Sequence, residues 1–456
     1  MRFSVSNFMS FGYKEDSFNH VLAEEFYLYA GRSEQFKKRI IPIHERRILK
    51  FSSIYGANAA GKTNLVRAID WGRRILLFTM DQGHIQDHYC RSQKANKERP
   101  TLFEYEFTIG SQCFAYGFTV NLWKRCVLSE WLYELRGTRE APIFERSVEH
   151  DTYYFDEKRF SSGDNIQQFH FFLRDANRIN TSLLLYELKR RNLIHEDFLL
   201  FSQIFDWFRD KLIIIYPDTK IGASYARFGS TNERLVSILD YLDTGITGYN
   251  VQPLNETAFR EYFPDPELAD NLLHIPDGER KNRVILRYGN TLFELDYTGK
   301  NVDKILKLLF QHGAEETLYE YGEESDGTQR LIELLDVILN DDEEKVFIID
   351  ELNRSLHPQM TRKFVETFLN FSMGTKTQMI ITTHESNLMD LSLLRRDEIW
   401  FAERETDNTT SLYTLEKFKT RYDKVVSKDY LAGRYGAVPV FKDFDYVWGR
   451  KDECKN

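Results

Sequence analysis

The apolar, strand-like run Ile48 to Tyr55 passes directly into Gly56-Ala57-Asn58-Ala59-Ala60-Gly61-Lys62-Thr63-Asn64, and Leu65, Ile69, Trp71, Ile75 and Leu76 then follow at roughly helical spacing. A glycine loop between strand and helix constrains the fold more than any other feature of the chain. Gly56 and Gly61 let the backbone curl so that successive amide N–H groups point at phosphates, Lys62 neutralises the terminal phosphates, and the Thr63 hydroxyl ligates magnesium. A chance strand–turn–helix is the plainer reading, but here the loop has the required flanking elements on both sides.

Three later segments supply what such a loop lacks. Val346 to Ile349 reads as a buried strand ending in Asp350 and Glu351, which puts one carboxylate beside magnesium and the next toward an attacking water. A second strand ends in Thr382-Thr383-His384, at the carboxyl edge where open α/β sheets bind ligands. Ser325-Asp326-Gly327-Thr328-Gln329 opens a helix: Ser or Asp caps it, Gly327 permits close backbone approach, and the helix N-terminus favours an anion. Alone it is a well-capped helix. Beside the other motifs it reads as a loop that touches the γ-phosphate held by a second subunit, so ATP, Mg2+ and self-association are expected together.

Alternating strand and helix after residue 325 predicts α/β architecture: a parallel sheet with flanking helices, plus an antiparallel lobe from Phe3 and Val5 onward. Leu102 to Ile109 and Phe114 to Val120 alternate about a Gly110 turn, and Val127 to Leu135 extends that sheet. From about residue 145 the texture turns helical, with Leu183, Leu184, Leu188, Phe198 and Phe205 prominent. The expected organisation is residues 1–145 as the first part of an ATPase head, 146–280 as a mostly helical interaction insertion, and 281–456 as the rest of the head. Without sustained heptads, a long coiled-coil arm is not expected.

A net charge of −9 gives no bulk attraction to nucleic acid, so DNA gains no support from composition. Cys90, Cys113, Cys126 and Cys454 form no CxxC pair, which argues against a zinc hook and fits a reducing compartment. His84 and His88 have i, i+4 spacing near Cys90 but no third ligand or base, and the acidic run Asp341 to Glu344 reads as a solvated turn. The N-terminus lacks a signal peptide and no stretch approaches about 18 apolar residues, so a cytoplasmic protein without a membrane segment is expected.

The glycine loop, the Glu324-to-Arg330 helix start, the Asp350-Glu351 strand, Ser355-Leu356-His357-Pro358 and the Thr382-Thr383-His384 switch together resemble ABC-type ATPase heads of the RecF, SMC and OLD group. Ser6-Asn7-Phe8-Met9-Ser10-Phe11 and Tyr430 to Pro439 are similar to the stand-alone ATPases of bacterial abortive-infection and phage-defence gene pairs, of the PARIS, Septu and Rlo kind. That resemblance spans both ends of the chain and is weak in residues 145 to 280. It implies two subunits sandwiching ATP: Gly56 to Asn64 cradling phosphate, Asn58 near the γ-phosphate, and Lys62 and Thr63 on phosphate and magnesium. It likewise implies Asp350 on magnesium, Glu351 as general base, His384 as γ-phosphate sensor, Ser325 and Gly327 acting in trans, and Ser355 to Pro358 linking the two sites.

Met9 stands where many relatives carry a basic residue, and no glutamine reporting on magnesium is placed, since Gln112 falls at a hairpin tip. OLD-type proteins continue into a nuclease, whereas roughly 70 residues follow His384 here. The leading expectation is therefore a dimeric or larger ATPase that answers a phage-derived trigger and controls a separate effector such as a nuclease. A RecF-like clamp on DNA and a nucleotide-dependent scaffold with incidental hydrolysis are the alternatives.

Overall fold

The computed structural model describes residues 1–17, 20–80, 84–137, 139–218, 232–274, 283–313, 317–339, 344–418 and 425–439. Asp341 to Glu343 and Cys454 lie outside them. The chain forms two compact units, Met1–Lys211 with Thr382–Asn456, and Leu212–Ile381.

The first unit holds a seven-stranded antiparallel sheet in the order Thr152–Phe155, Arg139–Ser147, Cys126–Arg136, Gln112–Asn121, Thr101–Ile109, Arg2–Ser6 and Glu24–Tyr27. The hairpin expected around Gly110 is present, with Gly110 at φ 59 in the left-handed region that glycine adopts freely. Helices Gly163–Ile179, Leu184–Arg190 and Glu196–Asp206 belong to this same unit. Phe169 packs at 6.5 Å from Phe144 and 4.9 Å from Phe155, and Phe201 at 6.2 Å from Phe144. These rings bury the helices' apolar stripe on the sheet, which draws residues beyond 145 into the unit that begins at Met1.

A buried ion pair fastens the join. Arg146 Nε donates to Glu130 Oε2 at 2.8 Å with both side chains fully enclosed, and Glu130 also accepts from Tyr116 (2.9 Å) and the Leu184 amide (2.7 Å). Charges removed from water are tolerated when hydrogen bonds compensate them, as they do here.

The strand expected over Ile48 to Tyr55 is two strands. Arg46–Leu49 pairs with Ile40–Ile43, while the wholly buried Phe51–Tyr55 runs parallel to Ile399–Arg404, itself antiparallel to Thr410–Thr414. Glu398, at the entrance to that neighbouring strand, is fully buried; its carbonyl accepts from Ser52 and Ser53 and its Oε2 from the Arg395 amide, while Oε1 has no hydrogen-bond partner. Burial pushes its carboxyl up to about 8. The folded chain therefore holds a proton that the unfolded chain releases. The resulting stabilisation is complete below the ordinary carboxyl value of 4.5 and is lost as pH rises through about 8. The expected result is that wild type loses about 2 kcal/mol more between pH 6 and 8 than Glu398→Gln does, from a slope near ~1.4 kcal/mol per pH unit. Urea midpoints at the two pH values check this, and parallel losses would exclude Glu398 as the source.

In the second unit Leu212–Ile215, Val346–Ile349 and Gln378–Thr382 are parallel, with Ile349 level with Ile215 on one side and Ile381 on the other. Helices Asp326–Leu339 and Pro358–Phe371 bury Leu331, Leu334, Leu335 and Ile338, and Phe364, Val365 and Phe368, at the three- and four-residue spacing of an amphipathic face. An antiparallel sheet of Ile246–Leu254, Asn301–His312, Thr291–Thr298 and Arg283–Tyr288 completes the unit. Phe259, Phe263, Ala269 and Leu273 cover Val284, Phe293, Leu295 and Ile305 of that sheet.

The compact units change at 211/212 and 381/382 rather than at the 145/146 and 280/281 positions expected from texture. Backbone ladders explain the difference. Strand Arg139–Ser147 runs straight through 145, and Ile246–Leu254 pairs with Asn301–His312 across 280.

Candidate nucleotide-binding site

Each unit carries its own share of the expected residues. In the first, the glycine loop leaves Phe51–Tyr55 and enters helix Lys62–Phe78. Ala59 (φ 62) and Gly61 (φ 102) are left-handed, and Ala60 N donates to Ala57 O at 3.2 Å, so the loop winds back on itself. A Cβ at Gly56 would collide with the Ala402 carbonyl, and one at Gly61 would run into the Thr410 side chain and lie 2.9 Å from Ser10 Oγ. Gly56 is thus required by the close approach of backbone, and Gly61 by its left-handed φ and the side chains packed on it. Lys62 is 6% exposed, with Nζ donating to the carbonyls of Gly56 (2.8 Å) and Ala57 (3.1 Å). Asn58 and Ala59 stand exposed at the tip.

Two hydroxyls that sequence reasoning missed brace this loop. Thr410 Oγ1 donates within reach of both the Ala60 carbonyl (3.0 Å) and Ser10 Oγ (2.8 Å), and Ser10 Oγ also accepts from Asn64 Nδ2 at 2.9 Å. Ser10 lies inside a segment already singled out; Thr410 carries no signal in its own neighbourhood. Met9 is left-handed at φ 49 and its amide donates to the His88 carbonyl at 2.6 Å. His88 packs edge-on to Trp71 (4.7 Å) and Phe8 (5.9 Å), and burial lowers its pKa, as suits a neutral ring in an aromatic cluster. Gln112 is the exposed first residue of its strand.

The switch segment is anchored to the same strand as the glycine loop. Thr383 N donates to Ile54 O at 3.1 Å and Thr383 Oγ1 accepts from the Glu385 amide at 3.0 Å. Thr382 and Thr383 are wholly buried and His384 is exposed.

In the second unit Asp350, 2% exposed, follows the buried strand Val346–Ile349, and its amide donates to Ile215 O at 2.9 Å. Glu351 is half-buried with φ 50, and Ser355 has φ 62. Ser325 is exposed at the start of helix Asp326–Leu339; its Oγ accepts from Thr328 N (3.2 Å) and lies 2.9 Å from Thr328 Oγ1. A Cβ at Gly327 would stand 2.9 Å from the Ser355 carbonyl. Gly327 thus lies against Ser355, in the segment that follows Asp350 and Glu351 in the chain. His357 caps helix Pro358–Phe371 through the Gln359 amide at 3.3 Å.

These features fit a phosphate-bearing ligand. No side chain caps the helix that begins after Gly61, which leaves that helix end the character of an anion site. Among the described residues no three His, Cys, Asp or Glu gather to hold a metal. A magnesium ion carried in on phosphates asks for none, since it keeps several waters and takes one or two protein ligands. Thr63 in the first unit and Asp350 in the second each carry an oxygen donor of the right hardness.

A buried strand, a left-handed glycine loop, an enclosed lysine and a long helix define the P-loop nucleotide-binding class. The chain belongs to the family described as "AAA domain, putative AbiEii toxin, Type IV TA system", matched over residues 51–390. Solved structures similar to it include a Smc head bound to the C-terminal winged-helix domain of ScpA (13% identity, 91% of this chain and 96% of that one, TM-score 0.39). Others are a Smc head with an extended coiled coil bound to the C-terminal domain of ScpA, derived from Pyrococcus furiosus (11%, 91% and 96%, TM-score 0.36), and an SMC head from Thermotoga maritima (11%, 91% and 97%, TM-score 0.34). Likenesses at this level transfer neither activity nor partner. No curated protein matches the chain. No helix among the described residues is long and apolar enough to cross a membrane.

Proposed function

We propose that this chain is a cytoplasmic ATP-hydrolysing, ABC-type head that self-associates through shared ATP sites and controls a separate effector, such as a nuclease, in a bacterial response to a phage-derived trigger. The observation that carries the nucleotide part is the enclosed Lys62 inside a loop whose glycines admit no side chain. Lys62 and the loop amides bind the phosphates, Thr63 and Asp350 hold magnesium, Glu351 takes the proton of the attacking water, and His384 meets the γ-phosphate. Magnesium, when bound, neutralises charge on the phosphate oxygens.

Self-association is supported by Ser325. A serine hydroxyl has one hydrogen and two lone pairs, so Ser325 Oγ can keep accepting from Thr328 N while turning its hydrogen toward a phosphate brought by a neighbour. Solution mass with and without ATP and magnesium tests it: wild type is expected to move to a dimer or larger species, and Lys62→Ala to stay put. An ATP-insensitive monomer in both proteins would sink the shared-site reading.

A further inference from the structure

The five residues leading into Ser325 are gripped by the antiparallel sheet of the second unit. The Glu320 carboxylate accepts from Thr291 Oγ1 (2.9 Å) and Lys307 Nζ (2.5 Å), and Gly322 N donates to Asn290 O at 2.8 Å. Tyr321 is fully buried beneath the Arg287 guanidinium at 4.7 Å, and its hydroxyl and Arg287 both donate to Glu333 Oε1, at 3.0 and 3.1 Å. Glu324 comes last. Its side chain is 5% exposed with Oε1 2.7 Å from His312 Nε2, and its carbonyl accepts from Gln329 Nε2 at 2.8 Å.

His312 ends strand Asn301–His312, and its ring packs edge-on to Tyr319 at 5.1 Å. Ser325, by contrast, is exposed, and among the described residues its side-chain bonds reach only Thr328 in its own helix turn. Ser325 is held from both sides of the chain: its carbonyl accepts from the Gln329 amide at 2.8 Å in the first helical turn, and the residue before it is clamped by His312. We propose that His312 is a positioning residue which, through Glu324, sets where Ser325 and Gly327 meet the nucleotide of the neighbouring subunit. The antiparallel sheet is thereby the handle by which anything that shifts strand Asn301–His312 changes ATP turnover.

This inference rests on the shared-site reading, and subunit mixing separates the two. His312→Ala is expected to lower kcat for ATP about tenfold or more, since small misplacements of a positioning group cost that much, with KM changed far less. His312→Gln, which can still donate to Glu324, restores most of the loss. Glu324→Ala reproduces the loss from the other side of the pair, and the double variant falls no further than either single one.

In mixtures, Lys62→Ala supplies an intact Ser325 loop to the intact glycine loop of a His312→Ala subunit. Turnover several-fold above either protein alone is expected, as it is for Lys62→Ala mixed with Ser325→Arg. If the Ser325→Arg mixture recovers and the His312→Ala mixture does not, or if His312→Ala and Glu324→Ala both keep wild-type kcat, the positioning role is overturned. If neither mixture recovers, the shared-site reading falls and this inference with it.

Discussion

ATP turnover by Lys62→Ala is expected to fall roughly a thousandfold, the scale on which a fixed charge aimed at developing anionic charge contributes. Lys62 is held inside its loop by the carbonyls of Gly56 and Ala57, so its ammonium already stands within the loop that is to receive the phosphate. Alanine removes the positive charge and leaves the neutral loop amides and the helix start to attract the phosphates, the helix end being worth only about 1 kcal/mol or so. ATP affinity should therefore drop together with turnover. The fold should hold, because the apolar residues around the loop, Leu65, Val66, Ala68 and Ile69, are untouched. Phosphate release, ATP titration and a melting curve on one preparation separate the effects. Turnover within tenfold of wild type would show that Lys62 is not the phosphate ligand.

What the sequence made legible follows from how local each requirement is. The glycine loop can be read from residues 48 to 78 alone because strand, left-handed glycine and helix are contiguous there, and the structure places each of them. Ser10 and Thr410 brace the same loop from positions 400 residues apart, and a single hydroxyl at each leaves no pattern to detect. Strand Asn301–His312, the longest of its sheet, is not legible from local pattern. Val302, Ile305, Leu306, Leu309 and Phe310 recur at three- and four-residue intervals, as a helix would have them, and pairing on both sides with Ile246–Leu254 and Thr291–Thr298 overrides that local preference. The helical texture after residue 145 was visible, yet the surface it packs on was not. That depends on Phe144, Phe155 and the Glu130–Arg146 pair, whose partners are distant in the chain.

Glu351→Gln should separate binding from chemistry. Side chains alternate along a strand, so consecutive Asp350 and Glu351 could not share one task if the strand continued. The backbone turns left-handed at Glu351 instead, φ 50, a conformation costing about 1–2 kcal/mol for a residue with a side chain. The Arg354 amide, donating to Glu351 O at 2.9 Å, helps hold that turn. Asp350 is left buried and Glu351 half-exposed, the division expected of a metal ligand and a base that must reach water. Glutamine keeps the size and the turn but takes up no proton at neutral pH, so hydrolysis should fall about 10²–10⁴-fold, while ATP affinity stays within a few-fold of wild type. The ATP-bound assembly should then persist instead of relaxing as ATP is consumed, which solution mass followed over time would show. Output of the effector decides what hydrolysis is for: a switch timed by hydrolysis is jammed or permanently on in Glu351→Gln, whereas a scaffold that needs only bound ATP works as before. Wild-type turnover in this variant would mean that another group activates the water, and the division of labour between Asp350 and Glu351 would have to be abandoned.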